Sequence, residues 1–375
     1  MRWQLFLEPS DVLLFRDGRP FAAGEDHLAR SLFPPTPFTV QGAVRSKALV
    51  DSGISMADYV SDNPAEKVQE LRDRIGVPAK GYGQLRLLGP FVAQRNDDGT
   101  LTRYFPVPAD VVDTGTGNYA IAVPLRGLAF SANYPDTLSP LWVRTDLPTK
   151  EARGWIAEPQ FVKYLDRRTD FTVTRETELV HREPRLGISL DYELRRPTEG
   201  MLYQTEYLRL REGVGFLLEV DGLEPFKPPA GSLPLGGEAR PAYYEVRQRP
   251  LTPLPRPDPL PARFKVVLLT PAWFSGGWRP RGGDWSKFFT GRVRLVAAAM
   301  HRAQALGGAY VDDKRRRDNF QKVMRRFVPA GSVFFFEAAD EATYKEVPFT
   351  ETPEDEGDFG QIGFGCVALA EWNYT

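Results

Sequence analysis

The densest chemistry in the sequence lies near its start. Phe15-Arg16-Asp17-Gly18-Arg19-Pro20-Phe21 sets two arginines around a turn-forming Asp-Gly, with aromatic rings outside them, and Gly24-Glu25-Asp26-His27 follows. Guanidinium forks pair with phosphate oxygens and aromatic faces stack on bases, so this loop suits a single-stranded nucleic acid. Without a ligand it is a tight turn whose arginines pair with Asp11, Asp17 or Glu25. His27, beside Arg16, Arg19 and Arg30, is the one residue placed for general acid–base chemistry. A second cluster runs through Pro37-Phe38-Thr39-Val40-Gln41-Gly42-Ala43-Val44-Arg45-Ser46-Lys47. With Thr39 as N-cap, the spacing predicts a helix over 40–50 with Val40, Val44, Ala48 and Leu49 inward. Its first-turn N–H groups favour an anion, Gly42 lets a backbone approach, and Arg45 and Lys47 add charge.

A third cluster is basic. Ser275 to Arg326 holds thirteen bases against four acids in a chain of net charge -1. That asymmetry fits a polyanion or an acidic partner, or a solvated surface. Interface cores are rich in aromatics and arginine. Trp278, Arg279, Arg281 and Trp285 are therefore expected to meet a partner subunit, the competing reading being that the aromatics of 273–289 fill a core. Other chemistry finds little support. Cys366 is the sole cysteine and His27, His181 and His301 are far apart, which excludes a disulfide scaffold and a multi-cysteine metal site. No Gly-rich run is followed by Lys-Ser/Thr, so there is no P-loop, and no Gly-x-Ser-x-Gly elbow exists. No metal and no cofactor is expected.

Elements must hold these clusters in place. A length of 375 residues predicts two domains, and 33 glycines with 33 prolines predict many turns and few long helices. The boundary is read at Pro250, Pro253, Pro255, Pro257, Pro259 and Pro261, because such a run neither continues a helix nor donates to a central strand. The domains are then 1–249 and 262–375, joined by a linker over 250–261. Strands are predicted at 3–7, 84–88, 104–107, 264–269, 332–337 and 364–372. A hairpin is predicted over 206–220 and a helix over 314–327, while 293–299 stays open between strand and helix. The pattern is α+β and sheet-rich. The N-terminus meets an acid and a proline too early for a signal peptide, and no apolar run reaches the roughly 18–20 residues of a membrane helix. A soluble cytoplasmic protein with no membrane partner is expected.

Five pieces in order carry a resemblance: Leu14–Phe21; Ser31-Leu32-Phe33-Pro34-Pro35 through Gly42-Ala43-Val44-Arg45-Ser46; Arg185-Leu186-Gly187-Ile188; Leu235-Gly236-Gly237-Glu238-Ala239-Arg240; and Gly363-Phe364-Gly365. Together they resemble the RAMP superfamily of CRISPR proteins, and more narrowly the position of subunit three in the Cmr-type (type III-B) RNA-guided effector complex. The resemblance implies two ferredoxin-like (RRM-like) domains with long loop insertions and a non-catalytic, RNA-binding role in antiviral defence. It also implies three partners: the 5′ tag of the CRISPR RNA, the large polymerase/cyclase-like subunit and the backbone RAMP subunit. Arg16, Arg19, Gly42, Arg45, Ser46 and Lys47 are the expected RNA contacts. Two alternatives stand beside it: a metal-independent RAMP endoribonuclease processing CRISPR RNA with His27 as acid/base, and a protein adaptor without RNA contact.

Overall fold

The structure is a computed structural model that describes residues 1–16, 28–77, 81–115, 117–126, 138–191, 196–308 and 322–374, with the backbone alone at 28, 189–191 and 196–202. It is α+β, with mostly antiparallel sheets and few helices. Its contacts divide into two compact units. One comprises Met1–Arg95, Glu176–Pro250 and Ala305–Arg325; the other comprises Asn96–Arg175, Leu251–Gln304 and Arg326–Thr375. One crossing falls at Pro250/Leu251, at the head of the proline run. Residues 96–175 go with the second unit, not with the stretch 1–249.

In the first unit the organising strand is Val214–Asp221, whose residues are buried on both faces up to Val220. Burial on both sides makes it central, so it pairs antiparallel with Trp3–Pro9 on one flank and Arg86–Arg95 on the other. Trp3–Pro9 pairs outward with Pro241–Arg247, which holds the edge strand Ala230–Pro234. Leaving the edge strand aside, the order by appearance is second, third, first, fourth. This placement corrects the predicted hairpin over 206–220. Arg196–Leu210 belongs to a separate ribbon with Val180–Asp191, and it does not pair with Val214–Asp221.

The helix between the first two strands begins earlier than predicted. It spans Pro37–Ser52, with Thr36 as N-cap and Pro37 in the first turn, where a missing N–H costs nothing. The Thr36 hydroxyl accepts from the Thr39 amide at 3.4 Å, and Gly53 closes the helix at φ 68°. Val40, Val44, Ala48 and Leu49 are all buried, as their spacing required.

The second unit repeats the strand order. Arg263–Leu268, Val293–Ala299, Val333–Ala338 and Val367–Glu371 form an antiparallel sheet, again second, third, first, fourth. Residues 293–299 are thus a strand. Between strands one and two, and between three and four, the described residues contain no α-helix. Aromatic rings from those connections cover the sheet face instead. Trp285 stacks on Phe349 at 5.5 Å, and Phe274, Phe288 and Phe289 pack with them on Phe264, Phe334 and Phe336. Period-two alternation sends Lys265 and Phe335 to the opposite face. The predicted helix over 314–327 is overturned at its end, because Arg325–Phe327 is a strand. Val328 bridges Ala272 and Phe327 packs on Phe364 at 4.8 Å, so tertiary pairing extends a segment whose composition favours helix. Residues 309–321 lie outside the described set.

Candidate nucleic-acid interface

Four of the quoted sequence pieces come together in the first unit. Leu13 exchanges backbone hydrogen bonds with Leu208, and the Phe15 amide donates to the Ser31 hydroxyl at 3.2 Å. The Leu32 amide donates to the Phe15 carbonyl at 2.8 Å, so the two early loops are tied at their bases. The Ser31 hydroxyl donates to the Glu206 carbonyl at 2.7 Å, which ties them to the ribbon. Arg182 closes the tie: it donates to the Ser31 carbonyl at 3.0 Å, to Glu206 at 2.7 Å and to Glu176 at 2.9 Å. Burial pulls its pKa down, but the paired carboxylates outweigh this and hold it above the usual value.

The Gly236-Gly237 loop docks on the same segment. The Gly237 amide donates to the Leu14 carbonyl at 2.8 Å. Gly236 has φ 78°, and a Cβ there would meet that carbonyl at 2.6 Å and the Phe15 ring at 2.8 Å. Only glycine permits both the dihedral and the approach. Glu238 and Ala239 follow at φ 59° and 49°, a left-handed stretch unusual for side chains of L-residues.

This loop delivers Arg240 to Tyr207. Two guanidinium groups lie against the Tyr207 ring, Arg185 at 4.8 Å and Arg240 at 5.1 Å, and the ring packs with Val12 and Leu14. The Tyr207 hydroxyl donates to Glu238 at 2.9 Å and Arg240 donates to the same carboxylate at 2.7 Å. Burial raises the Glu238 carboxyl, but these two hydrogen bonds prevail and hold it below its ordinary value. Burial, with Glu238 beside it, raises the Tyr207 phenol. Arg209 joins Glu183 to Asp11. The Tyr207 ring is itself buried, so the assembly presents guanidinium groups held by an aromatic ring, a chemistry of phosphate pairing.

The predicted contacts are dispersed around this centre. Arg16 is exposed and bridges Ser31 through its backbone. Arg19 and His27 lie outside the described residues. Gly42, Arg45 and Ser46 share one face of the helix by their spacing. Outside the helix's own backbone no atom lies within 4 Å of a Cβ built at Gly42, so the helix surface is open at that residue. Arg45 donates to the Tyr59 hydroxyl at 3.0 Å and lies over the Tyr82 ring at 5.9 Å. Lys47 turns toward the sheet, pairing with Asp51 and lying 5.3 Å from the Phe226 and Tyr244 rings. Sequence reasoning did not single out Arg182, Glu206 or Tyr207. Arg185, Glu238 and Arg240 were within quoted motifs, and that was their only signal.

The expected partner residues divide by burial. Trp285 is 4% exposed and belongs to the aromatic core, which corrects its assignment to a surface. Trp278 is half-buried with Arg279 stacked at 5.0 Å, and Arg281 is exposed. Among the described residues no three His, Cys, Asp or Glu side chains cluster for a metal, and no helix is long and apolar enough to cross a membrane.

Residues 5–372 match the sequence model of a family of CRISPR-associated proteins. That family is Cas_Cmr3, and the chain belongs to it. Curated proteins returned no match. Among solved structures, a chain of the type III-B Cmr-beta complex bound to cognate target RNA is 16% identical, with 88% of this chain and 86% of that chain covered and a TM-score of 0.47. A chain of the Csm3-Csm4 subcomplex of the type III-A interference complex is 12% identical, with 99% of each covered and a TM-score of 0.39. A chain of the Csm1-Csm4 cassette with pppApA is 15% identical, covering 91% and 88%, with a TM-score of 0.36.

Proposed function

We propose that this chain is a non-catalytic, RNA-binding subunit of a type III-B CRISPR effector complex in the cytoplasm. In this reading it binds the 5′ tag of the CRISPR RNA and pairs with the large polymerase/cyclase-like subunit and the backbone RAMP subunit. The observation that carries the reading is the family match over residues 5–372. The repeated strand order supports it: four antiparallel strands arranged second, third, first, fourth are the order of a ferredoxin-like sheet, and both units have it. The grouping of Leu14–Arg16, Ser31, Arg185 and Gly236–Arg240 about the strand that carries the buried Tyr207 supplies a cationic surface suited to the phosphates of a single-stranded RNA end. The test is reconstitution of the purified chain with the large subunit and a tag-bearing RNA, followed by sedimentation and crosslinking. A ternary species with the tag crosslinked to this chain is expected, with no specific RNA cut in EDTA. A complex that forms without any crosslink to this chain leaves the adaptor reading in its place.

A further inference from the structure

A second polar cluster lies wholly within the second unit. A cleft of about 370 Å³ is lined by Trp142, Arg144, Arg167, Lys265, Glu371 and Asn373, among others. Its volume lies at the small end of ligand pockets, the size of one nucleotide rather than a folded partner. Trp142 stands at its wall, 56% exposed, on a strand fixed by pairing with Val123. An indole left in water on a fixed strand is a stacking platform.

The charges beside that platform are unbalanced. Lys265 is buried and answered by Asp110 at 2.7 Å, and Arg167 faces Glu371 at 3.6 Å. Arg144 makes no hydrogen bond or ion pair among the described residues, so the cleft carries a surplus of one cation. One phosphodiester or one nucleotide phosphate supplies the missing anion, and its base supplies the face for Trp142.

We infer that this cleft binds a single unstacked nucleotide unit, with the base on Trp142 and the phosphate at Arg144. The chemistry is shared by a free nucleotide and by a segment of single-stranded RNA. The site is separate from the Tyr207 centre and does not depend on the tag reading.

The test titrates the full chain with adenosine monophosphate and with an oligoadenylate RNA of about ten nucleotides, reading indole quenching and the salt dependence. Trp142→Ala, at an exposed position, is expected to weaken binding about 5- to 150-fold, the range of one base–aromatic stack. Arg144→Ala is expected to weaken it and to lower the salt slope for the RNA by about one unit. Binding of both probes with mutual competition points to a free nucleotide as well as RNA; binding of the RNA alone points to the strand. Either outcome with both variants impaired supports the site. Absence of binding to the wild-type chain, or wild-type titrations from both variants, overturns it. Neither probe carries a repeat-derived tag, so that result leaves the tag reading standing.

Discussion

Lys265 offers the sharpest test of how the second unit is held together. Its strand reads Phe264-Lys265-Val266-Val267-Leu268, and the ammonium is carried into the interior with 2% side-chain exposure. There it donates to Asp110 at 2.7 Å and to the Tyr164 hydroxyl at 2.8 Å, with its Nζ 4.0 Å from the centre of the Tyr164 ring. Asp110 also accepts from Tyr164 at 2.8 Å. Asp110→Asn keeps the shape and removes the only charge that answers the lysine among these groups. Breaking a buried pair on one side costs about 3–5 kcal/mol. The protein has one escape, which is to release the lysine proton. At pH 7 that costs at most about 4.6 kcal/mol, from an ordinary lysine value of about 10.4 at 1.36 kcal/mol per unit. The expected loss at pH 7 is therefore about 3–4.6 kcal/mol, or roughly 6–18 °C in Tm for a unit of about 180 residues.

The pH dependence follows from the direction of the shift. Burial drives the Lys265 pKa down, and Asp110 only partly restores it. Between the depressed folded value and the unfolded one, the unfolded chain binds more protons, so stability rises with pH. Removing Asp110 deepens the depression and widens that window. The ceiling on the variant's loss then falls to about 1.9 kcal/mol at pH 9. Tyr164 is displaced upward by burial and by Asp110, so its window opens above pH 10 and does not interfere. Urea denaturation followed by circular dichroism at pH 7, 8 and 9 reads the effect, with Lys265→Met/Asp110→Asn as a charge-free control that should lose less than Asp110→Asn alone. A loss under about 1 kcal/mol at pH 7, or one that does not shrink by pH 9, refutes the reasoning.

Three further outcomes are expected. Trp285→Ala should cost about 3–5 kcal/mol, because its ring fills the core beside Phe349, whereas Trp278→Ala, half-buried at the edge of that core, should cost about 1–2 kcal/mol in the same melts. Gly236→Ala should destabilise the first unit by about 1–3 kcal/mol and weaken tag-RNA binding in a filter assay, since the added Cβ pushes the loop off the Leu14 carbonyl. Arg240→Ala and Arg16→Ala should each lower the salt slope of tag binding by about one unit with sequence preference unchanged, and identical salt titrations would remove them from the RNA surface.

Where burial follows a simple period, the fold was legible. Val40, Val44, Ala48 and Leu49 marked the inner face of the Pro37–Ser52 helix, and the apolar runs at 264–269, 332–337 and 364–372 marked sheet strands. Failures came where pairing partners are remote. Leu210 and Val214 are joined by a short turn that looks like a hairpin, yet the two strands go to different sheets. The deciding feature is Val214–Val220 buried on both faces, which demands a neighbour on each side, and Trp3–Pro9 and Arg86–Arg95 fill those places. In 273–289 the aromatics follow neither period, since they descend from irregular connections, so nothing in their spacing separates Trp285 inside the core from Trp278 half-buried at its edge.

The Tyr207 centre shows why motif reading reached only part of the site. Arg185 and Tyr207 are 22 positions apart in sequence, and their contact depends on a register that pairs Glu183 with Tyr207 and Arg185 with Thr205. That register makes Arg185 a diagonal neighbour of Tyr207 on one face of the ribbon, within reach of a long side chain. Shifting it by one residue would send Tyr207 to the other face. Arg240 arrives from a third segment, and its arrival requires the left-handed run at Gly236, Glu238 and Ala239. The glycine in that run is readable from sequence; the two non-glycine residues are not, because nothing in Glu or Ala announces a positive φ. Strain held at Glu238 and Ala239 is compensated locally by the Tyr207 and Arg240 bonds to the Glu238 carboxylate. Glu238→Gln therefore separates two roles. If the carboxylate only neutralises Arg240, the variant frees a guanidinium and tag RNA binds more tightly. If it fixes the loop, Arg240 swings from the ring and binding weakens, with the Tyr207 phenol titrating lower. The local strain favours the second outcome, and a phenol titration by ultraviolet absorbance beside the RNA isotherm decides between them.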